Sequence, residues 1–359
     1  MFGTKMYELS ITETYVQNWT VIQAVREVIQ NGLDSDGAFS YKIVKKGEGN
    51  YTLRVDSQGV VLTPRTLLLG ASSKQANEGK IGQYGEGFKL ALLILLREGK
   101  QPEMLNGKHR WHPCFTYNTT FGADILAIAE TPLSKAIDGL SFVIKNLTEQ
   151  EIASIKESCL LMQGYIGEVI ETMYGEILKD QPGKLYVGKL FVCNTQLKFG
   201  YNLKPQYLEL DRDRQTVDNW DMKSVVKQLW ESTGKFNTIA ELLEEDVEDV
   251  SLFEYDSSDL VKEACYDLFK KKHPGAVIAK SQAQLEELIE RNLKVVVYQS
   301  NFASNVSSAP TYKLEQPSAT KETLDELLGT WIAENKKHMR RSAIVNFATL
   351  RKRLDLWRK

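Results

Sequence analysis

Cysteine is scarce: four residues in 359, namely Cys114, Cys159, Cys193 and Cys265, set far apart. That spacing builds neither a disulfide framework nor a zinc ribbon. It suits a reducing compartment, and a cytoplasmic location is expected. Long apolar runs are missing too. The longest, Leu90 to Leu96, falls far short of the roughly 20 residues of a membrane span, so no membrane partner is expected. Met1 to Ser10 lacks the charged head and apolar stretch of a signal peptide. Neither sign of charge dominates, with 45 Lys plus Arg against 47 Asp plus Glu. Whole-chain attraction to nucleic acid or membrane is therefore not an organising feature. A Walker loop is absent as well, because no Gly-Lys-Ser/Thr follows a glycine-rich turn at the required spacing.

What is present is an ordinary globular composition, 42% apolar, over a length that usually means two or three domains. Three regions are expected: 1–150, 151–235 and 236–359. In the first, Val21, Ala24, Val25, Val28 and Ile29 line one side of a helix over Asn18 to Asn31. Tyr41 to Val44 and Tyr51 to Val55 read as a hairpin, turned at Gly47, Gly49 and Asn50. Phe88 to Arg97 is a strongly apolar helix, and Ile125 to Ala129 and Leu140 to Ile144 read as strands. The second region opens helical, carries strands over Leu185 to Cys193, and ends in a helix near Met222 to Trp230. The acidic stretch Glu241 to Asp256 reads as a solvated connector or helix face. The third region alternates helix and strand from Leu260 to Tyr298. Asn301 to Pro317 then reads as a loop, and two helices finish the chain.

Three short segments carry candidate chemistry. In Glu27-Val-Ile-Gln-Asn31-Gly-Leu-Asp34, Glu27 and Asn31 are one helical turn apart and share a face. A carboxylate there can take a proton from water, and an amide oxygen can ligate Mg²⁺, a hard cation that prefers oxygen. In Val55-Asp56-Ser57-Gln58-Gly59, an Asp ending an alternating strand is placed to accept from a ligand's amino group. In Gly79-Lys-Ile-Gly82-Gln-Tyr-Gly85-Glu-Gly87-Phe88-Lys89, glycines run into a helix whose N-terminus favours phosphate. Each segment alone has an ordinary alternative: a surface pair, a turn-opening Asp, a plain loop.

Together, in this order and spacing, they resemble the GHKL superfamily, which includes gyrase B-type subunits, ninety-kilodalton heat-shock chaperones, histidine kinases and MutL-type repair proteins. The resemblance runs from Val21 to Leu147. Glu27, Asn31 and Asp34 look like its N box. Asp56, followed by Gly59, looks like the adenine-reading Asp of the first glycine box. Gly82, Gly85 and Gly87, with Phe88 and Lys89, look like the second. Leu69-Gly-Ala-Ser-Ser73-Lys74 resembles the segment leading into the ATP lid. Ser141 resembles the later hydroxyl that helps hold the adenine-site Asp.

The resemblance implies a two-layer α/β sandwich (Bergerat fold), then a smaller α/β transducer-like domain and a C-terminal α/β or helical appendage. It implies ATP and Mg²⁺ as ligands, Asn31 as the metal-holding residue, and a homodimer through the ATP domain. Glu27 favours water activation, hence an ATPase, over histidine-kinase chemistry. A cation from the second region is expected at the γ-phosphate. Arg214, in Leu208-Glu-Leu-Asp-Arg-Asp-Arg214, is one candidate and Lys204 the other.

The first glycine box departs from the usual Asp-x-Gly-x-Gly, since Gln58 and Val60 occupy the glycine places. Either the turn shifts by one residue or side chains narrow the adenine pocket. The basic end, Lys336 to Lys359, reads as a helix face packed on the body or as a grip for nucleic acid or an acidic protein client. Two functional readings follow. One is an ATP-driven conformational switch acting on a partner. The other is a sensory or scaffolding module that holds nucleotide with little turnover.

Overall fold

The computed structural model describes residues 4–35, 37–68, 86–208, 217–313 and 324–339, together with 343 and 346. Two compact units emerge. One contains Met1–Lys235 and Val247–Leu252; the other contains Phe236–Asp246 and Phe253–Lys359.

The first unit opens with β1 (Lys5–Thr12) and α1 (Val21–Leu33). A capping box starts the helix: the Thr20 hydroxyl accepts from Gln23 N at 3.4 Å, and Gln23 Oε1 accepts from Thr20 N at 2.7 Å. The hairpin β2 (Phe39–Gly47) and β3 (Asn50–Ser57) follows, then α2 (Gly87–Arg97). The remaining strands are β4 (Gln101–Asn106), β5 (His109–Asn118), β6 (Ala123–Pro132) and β7 (Leu140–Leu147). All seven strands form one sheet in the order β1-β6-β5-β4-β7-β3-β2. Every neighbouring pair in it is antiparallel.

Side-chain alternation along these strands defines two layers. Leu53, Val55, Met104, Trp111, Leu126, Ile128, Phe142 and Ile144 face the helices and pack with Val25, Val28, Ile29 and the apolar body of α2. Phe88 to Leu95 are all buried, so α2 is an interior helix while α1 keeps an amphipathic profile. The fold is a two-layer α/β sandwich.

Still within the first unit, α3 (Glu149–Glu157) leads to a second sheet. Its strands are β8 (Val169–Glu171), β9 (Gly175–Leu178), β10 (Lys184–Val187), β11 (Leu190–Asn194) and β12 (Gly200–Leu203), in the order β11-β10-β12-β9-β8. Helix α4 (Asn219–Ser232) follows, capped by the Asp218 carboxylate. Residues 247–252 return to this unit through Asp249, which is 3% exposed. Its carboxylate accepts from Lys198 N at 2.6 Å, from Phe199 N at 3.2 Å and from the Tyr201 hydroxyl. The acidic stretch is therefore not a solvated connector throughout, since Val250 and Phe253 are also buried.

The second unit contains α5 (Phe236–Glu244), α6 (Asp259–Lys272), β13 (Ala276–Ala279), α7 (Gln282–Glu290), β14 (Lys294–Val297), α8 (Asn301–Ser307) and α9 (Leu324–Asn335). β13 and β14 pair in parallel, joined through α7. Helix α8 occupies the start of the segment expected as a loop. Phe302, Ala303 and Val306 are buried along it, and Asn305 Nδ2 donates to the Phe253 carbonyl at 3.2 Å. Among the described residues, no helix is long and apolar enough to cross a membrane.

Candidate functional site

The first and third candidate segments meet. Glu27 lies near the middle of α1 and is 8% exposed. Gly87 opens α2 directly against it, and a Cβ on Gly87 would stand 2.1 Å from Glu27 Oε2. No other residue leaves that carboxylate where it is. One turn further along α1, Asn31 Nδ2 donates to the Glu27 carbonyl at 2.7 Å. Asp34 is buried at the end of α1, where its N–H donates to the Gln30 carbonyl at 2.8 Å. A buried carboxylate, an amide and the N-terminus of an eleven-residue helix thus lie together on the helical side of the sheet.

Phe88 and Lys89 turn inward from the start of α2. The Phe88 ring meets Phe142 edge-on at a centroid distance of 6.4 Å, so it serves the core. Lys89 is fully buried, and its Nζ donates to the Leu68 carbonyl. Burial pushes the Lys89 ammonium below its ordinary pKa, while the charge of Glu86 acts the other way.

The second segment lies on the other face. Val55 packs toward the helices and the pleat sends Asp56 away from them. There Asp56 faces Ser141, its register partner on β7, and accepts from the Ser141 hydroxyl. Arg54 Nε donates to the same Asp56 oxygen at 2.7 Å, and Arg54 Nη2 donates to Ser141 Oγ at 2.9 Å. Asp56 and Ser141 thus meet side by side, across the sheet from Glu27. The β3 side chain next to the helical face is Ser57, which is buried and pairs with Leu140. Gly59, at φ +77°, makes the turn that follows. Gly139 crosses close to it, and a Cβ there would stand 2.3 Å from the Ser57 carbonyl.

Lys204 directly follows β12 and is exposed, with its N–H held by the Tyr174 carbonyl at 3.0 Å. Ser73, Lys74, Gly82, Gly85 and Arg214 lie outside the described residues, as does most of Lys336 to Lys359.

Two residues that sequence reading passes over shape the surroundings. Arg54 sets the charge balance around Asp56. Asn106 is 2% exposed and pairs with both backbone groups of Leu62, accepting from N at 2.8 Å and donating to O at 2.9 Å. It thereby fixes the chain leaving the Gly59 turn. Nothing about a lone Asn before a turn marks such a role in the sequence.

Donor chemistry decides which metal fits. Among the described residues no group of three or more His, Cys, Asp or Glu could hold an ion. His109 shares the Trp111 face of β5, while His112 and Cys114 alternate to the opposite face, so the three cannot converge. An amide oxygen such as that of Asn31 belongs to the donor class that Mg²⁺ takes, since this hard cation prefers oxygen.

No family model and no curated protein matches the chain. Among solved structures, it is similar to the B-subunit of the DNA gyrase from Myxococcus xanthus. The identity is 7%, the TM-score is 0.32, and the match covers 60% of this chain and 89% of that one. A likeness that loose carries no argument about residues. The reading of the site rests on its own geometry.

Proposed function

We propose that the chain binds Mg-ATP on the helical side of the seven-stranded sheet and hydrolyses it slowly, using the closure this permits to control a partner. The observation that carries this reading is the seating of Glu27 against Gly87. It sets a buried carboxylate beside the N-terminus of α2. A base and a phosphate-favouring dipole are what hydrolysis of a phosphoanhydride needs at one place. Glu27 takes the proton from the attacking water. Asn31 would hold Mg²⁺, which supplies charge neutralisation at the phosphates. Arg214 or Lys204, from the second region, stabilises charge on the departing phosphates.

In this reading the first glycine box is shifted by one residue. Ser57-Gln58-Gly59 then takes the place expected of Asp56, and the base meets a hydroxyl instead of a carboxylate. Asp56, held by Arg54 and Ser141, belongs to the sheet's outer face. A neutral acceptor binds an amino group more weakly than a carboxylate does. Modest affinity and a weak preference for adenine are therefore part of the proposal.

The test is calorimetric titration of the full chain with ATP, with and without magnesium. Asn31→Ala is expected to lose affinity for Mg-ATP far more than for metal-free ATP. Equal losses in the two titrations would remove Asn31 from the metal.

A further inference from the structure

In the second unit, strand β14 has a bare edge. The Tyr298 N–H donates to the Ala279 carbonyl at 3.1 Å, which fixes the phase of the parallel ladder between β13 and β14. In that phase Val296 turns its N–H and carbonyl toward β13, while Val295 and Val297 turn theirs outward. Among the described residues nothing bonds to those outward groups. The far edge of β13 differs: the Ile278 N–H, which points away from β14, donates to the Tyr312 hydroxyl at 3.4 Å.

Natural edge strands are usually blunted by proline, by a bulge or by charges along the strand. β14 reads Lys294-Val-Val-Val297, regular in register and free of proline, with its one charge at the start. Val297 is 37% exposed. Ile289, on the helix that packs over Val295, is 55% exposed.

The outward groups have a symmetry that selects their occupant. They lie equally on either side of Val296. An antiparallel copy of the same strand, turned about Val296, sets Val295 against Val297 of the second copy, and Val297 against its Val295. Each such pair exchanges N–H and carbonyl, so every outward group is satisfied at once. Valine then meets valine along the whole contact, a β-branched pairing that suits a sheet. One step further out, Lys294 falls opposite Tyr298 of the second copy. Lys294 donates to the Pro274 carbonyl at 3.3 Å and pairs with no carboxylate among the described residues. The Tyr298 hydroxyl donates to Glu244 Oε1 at 2.9 Å. The same register therefore brings a cation toward an acid at both ends of the contact, as two-fold symmetry requires.

We propose that two copies of the chain pair through β14, antiparallel and centred on Val296, joining their two-stranded sheets into one. This contact belongs to the second unit. It is distinct from the dimer through the ATP domain that the family resemblance implies, and it needs no nucleotide.

The experiment is disulfide trapping of the full chain under air oxidation, with the covalent dimer read on a non-reducing gel. Residues opposed in a non-hydrogen-bonded antiparallel pair have Cα atoms about 4.5 Å apart, within disulfide range. Val296→Cys is therefore expected to crosslink to its own counterpart. Val297→Cys lies diagonal to its counterpart, roughly 7–8 Å away, and is expected to stay unlinked, as is wild-type protein with its four free cysteines. Val297→Pro deletes an outward N–H and spares the bonds to β13. Added to Val296→Cys, it is expected to slow crosslinking at least about 10-fold. Equal crosslinking of the two cysteine variants overturns the pairing, and so does an unchanged rate in folded Val296→Cys with Val297→Pro. A Val296→Cys protein that stays unlinked also overturns it, and leaves the edge to a strand from another protein. If the proline variant does not fold, the comparison of the two cysteine variants decides.

Discussion

At the scale of single residues, the decisive fact is parity along β3. Asp56 and Ser57 are neighbours in sequence and face opposite layers, so moving a motif by one residue exchanges a carboxylate for a hydroxyl at the same place. The account predicts that Asp56→Asn leaves ATP affinity within about 3-fold of wild type and costs about 1 kcal/mol of stability, through the weakened bonds to Arg54 and Ser141. Ser57→Val removes the hydroxyl on the helical side and is expected to weaken ATP binding. Calorimetry and denaturant unfolding read both. A large loss of ATP affinity in folded Asp56→Asn would return the base contact to Asp56. The sequence alone left the two registers open, because Gln58 and Val60 both break the glycine pattern. The burial of Val55 against the helices is the observation on which the proposed shift rests. Glu27 and Asn31 were legible from helical spacing, but the Glu27–Gly87 contact was not, because it joins residues 60 positions apart.

At the scale of elements, strong periodicity was readable and polar strands were not. Both helices of the site were found within a few residues, since α1 has one apolar side and α2 is apolar nearly throughout. β13 has the expected bounds, Ala276–Ala279. By contrast β1, β4 and β5 were missed. β5 reads His109-Arg-Trp-His-Pro-Cys114, in which Pro113 and two histidines hide the strand. Helix α8 was hidden by its Ser and Asn content, and tertiary burial of Phe302 and Val306 overrides that local preference. The stretch of chain after β12 holds both candidates for the catalytic cation. Lys204→Ala and Arg214→Ala are to be compared by phosphate release and by ATP calorimetry. The residue that reaches the γ-phosphate should lose turnover by about 10²-fold or more with ATP affinity spared, while the other variant stays near wild type. Equal turnover in both variants and wild type would mean that the second region does not complete the site.

At the scale of the whole molecule, the chain leaves the first unit at Lys235 and returns for residues 247–252. Asp249 secures that return with two backbone donors and the Tyr201 hydroxyl, which in turn accepts from Trp230 Nε1 at 3.0 Å. Removing it strands buried donors, and Asp249→Ala is expected to cost about 3 kcal/mol in denaturant unfolding followed by tryptophan fluorescence. A cost below about 1 kcal/mol would show that the return segment is held by apolar contacts alone. In the sequence Asp249 is one acidic residue in a run of them, and nothing local sets it apart.

The central claim is that the helical side of the seven-stranded sheet is a site of ATP hydrolysis with Glu27 as its base. Phosphate release from Mg-ATP, measured beside ATP binding for wild type and Glu27→Ala, tests it most directly. The account predicts slow release by wild type, and a Glu27→Ala protein that binds ATP near normally and releases phosphate about 10²- to 10⁴-fold more slowly. Wild-type protein that binds ATP yet releases no more phosphate than Glu27→Ala would contradict hydrolysis and leave a nucleotide-holding module. Wild-type protein that binds no ATP would contradict the site itself.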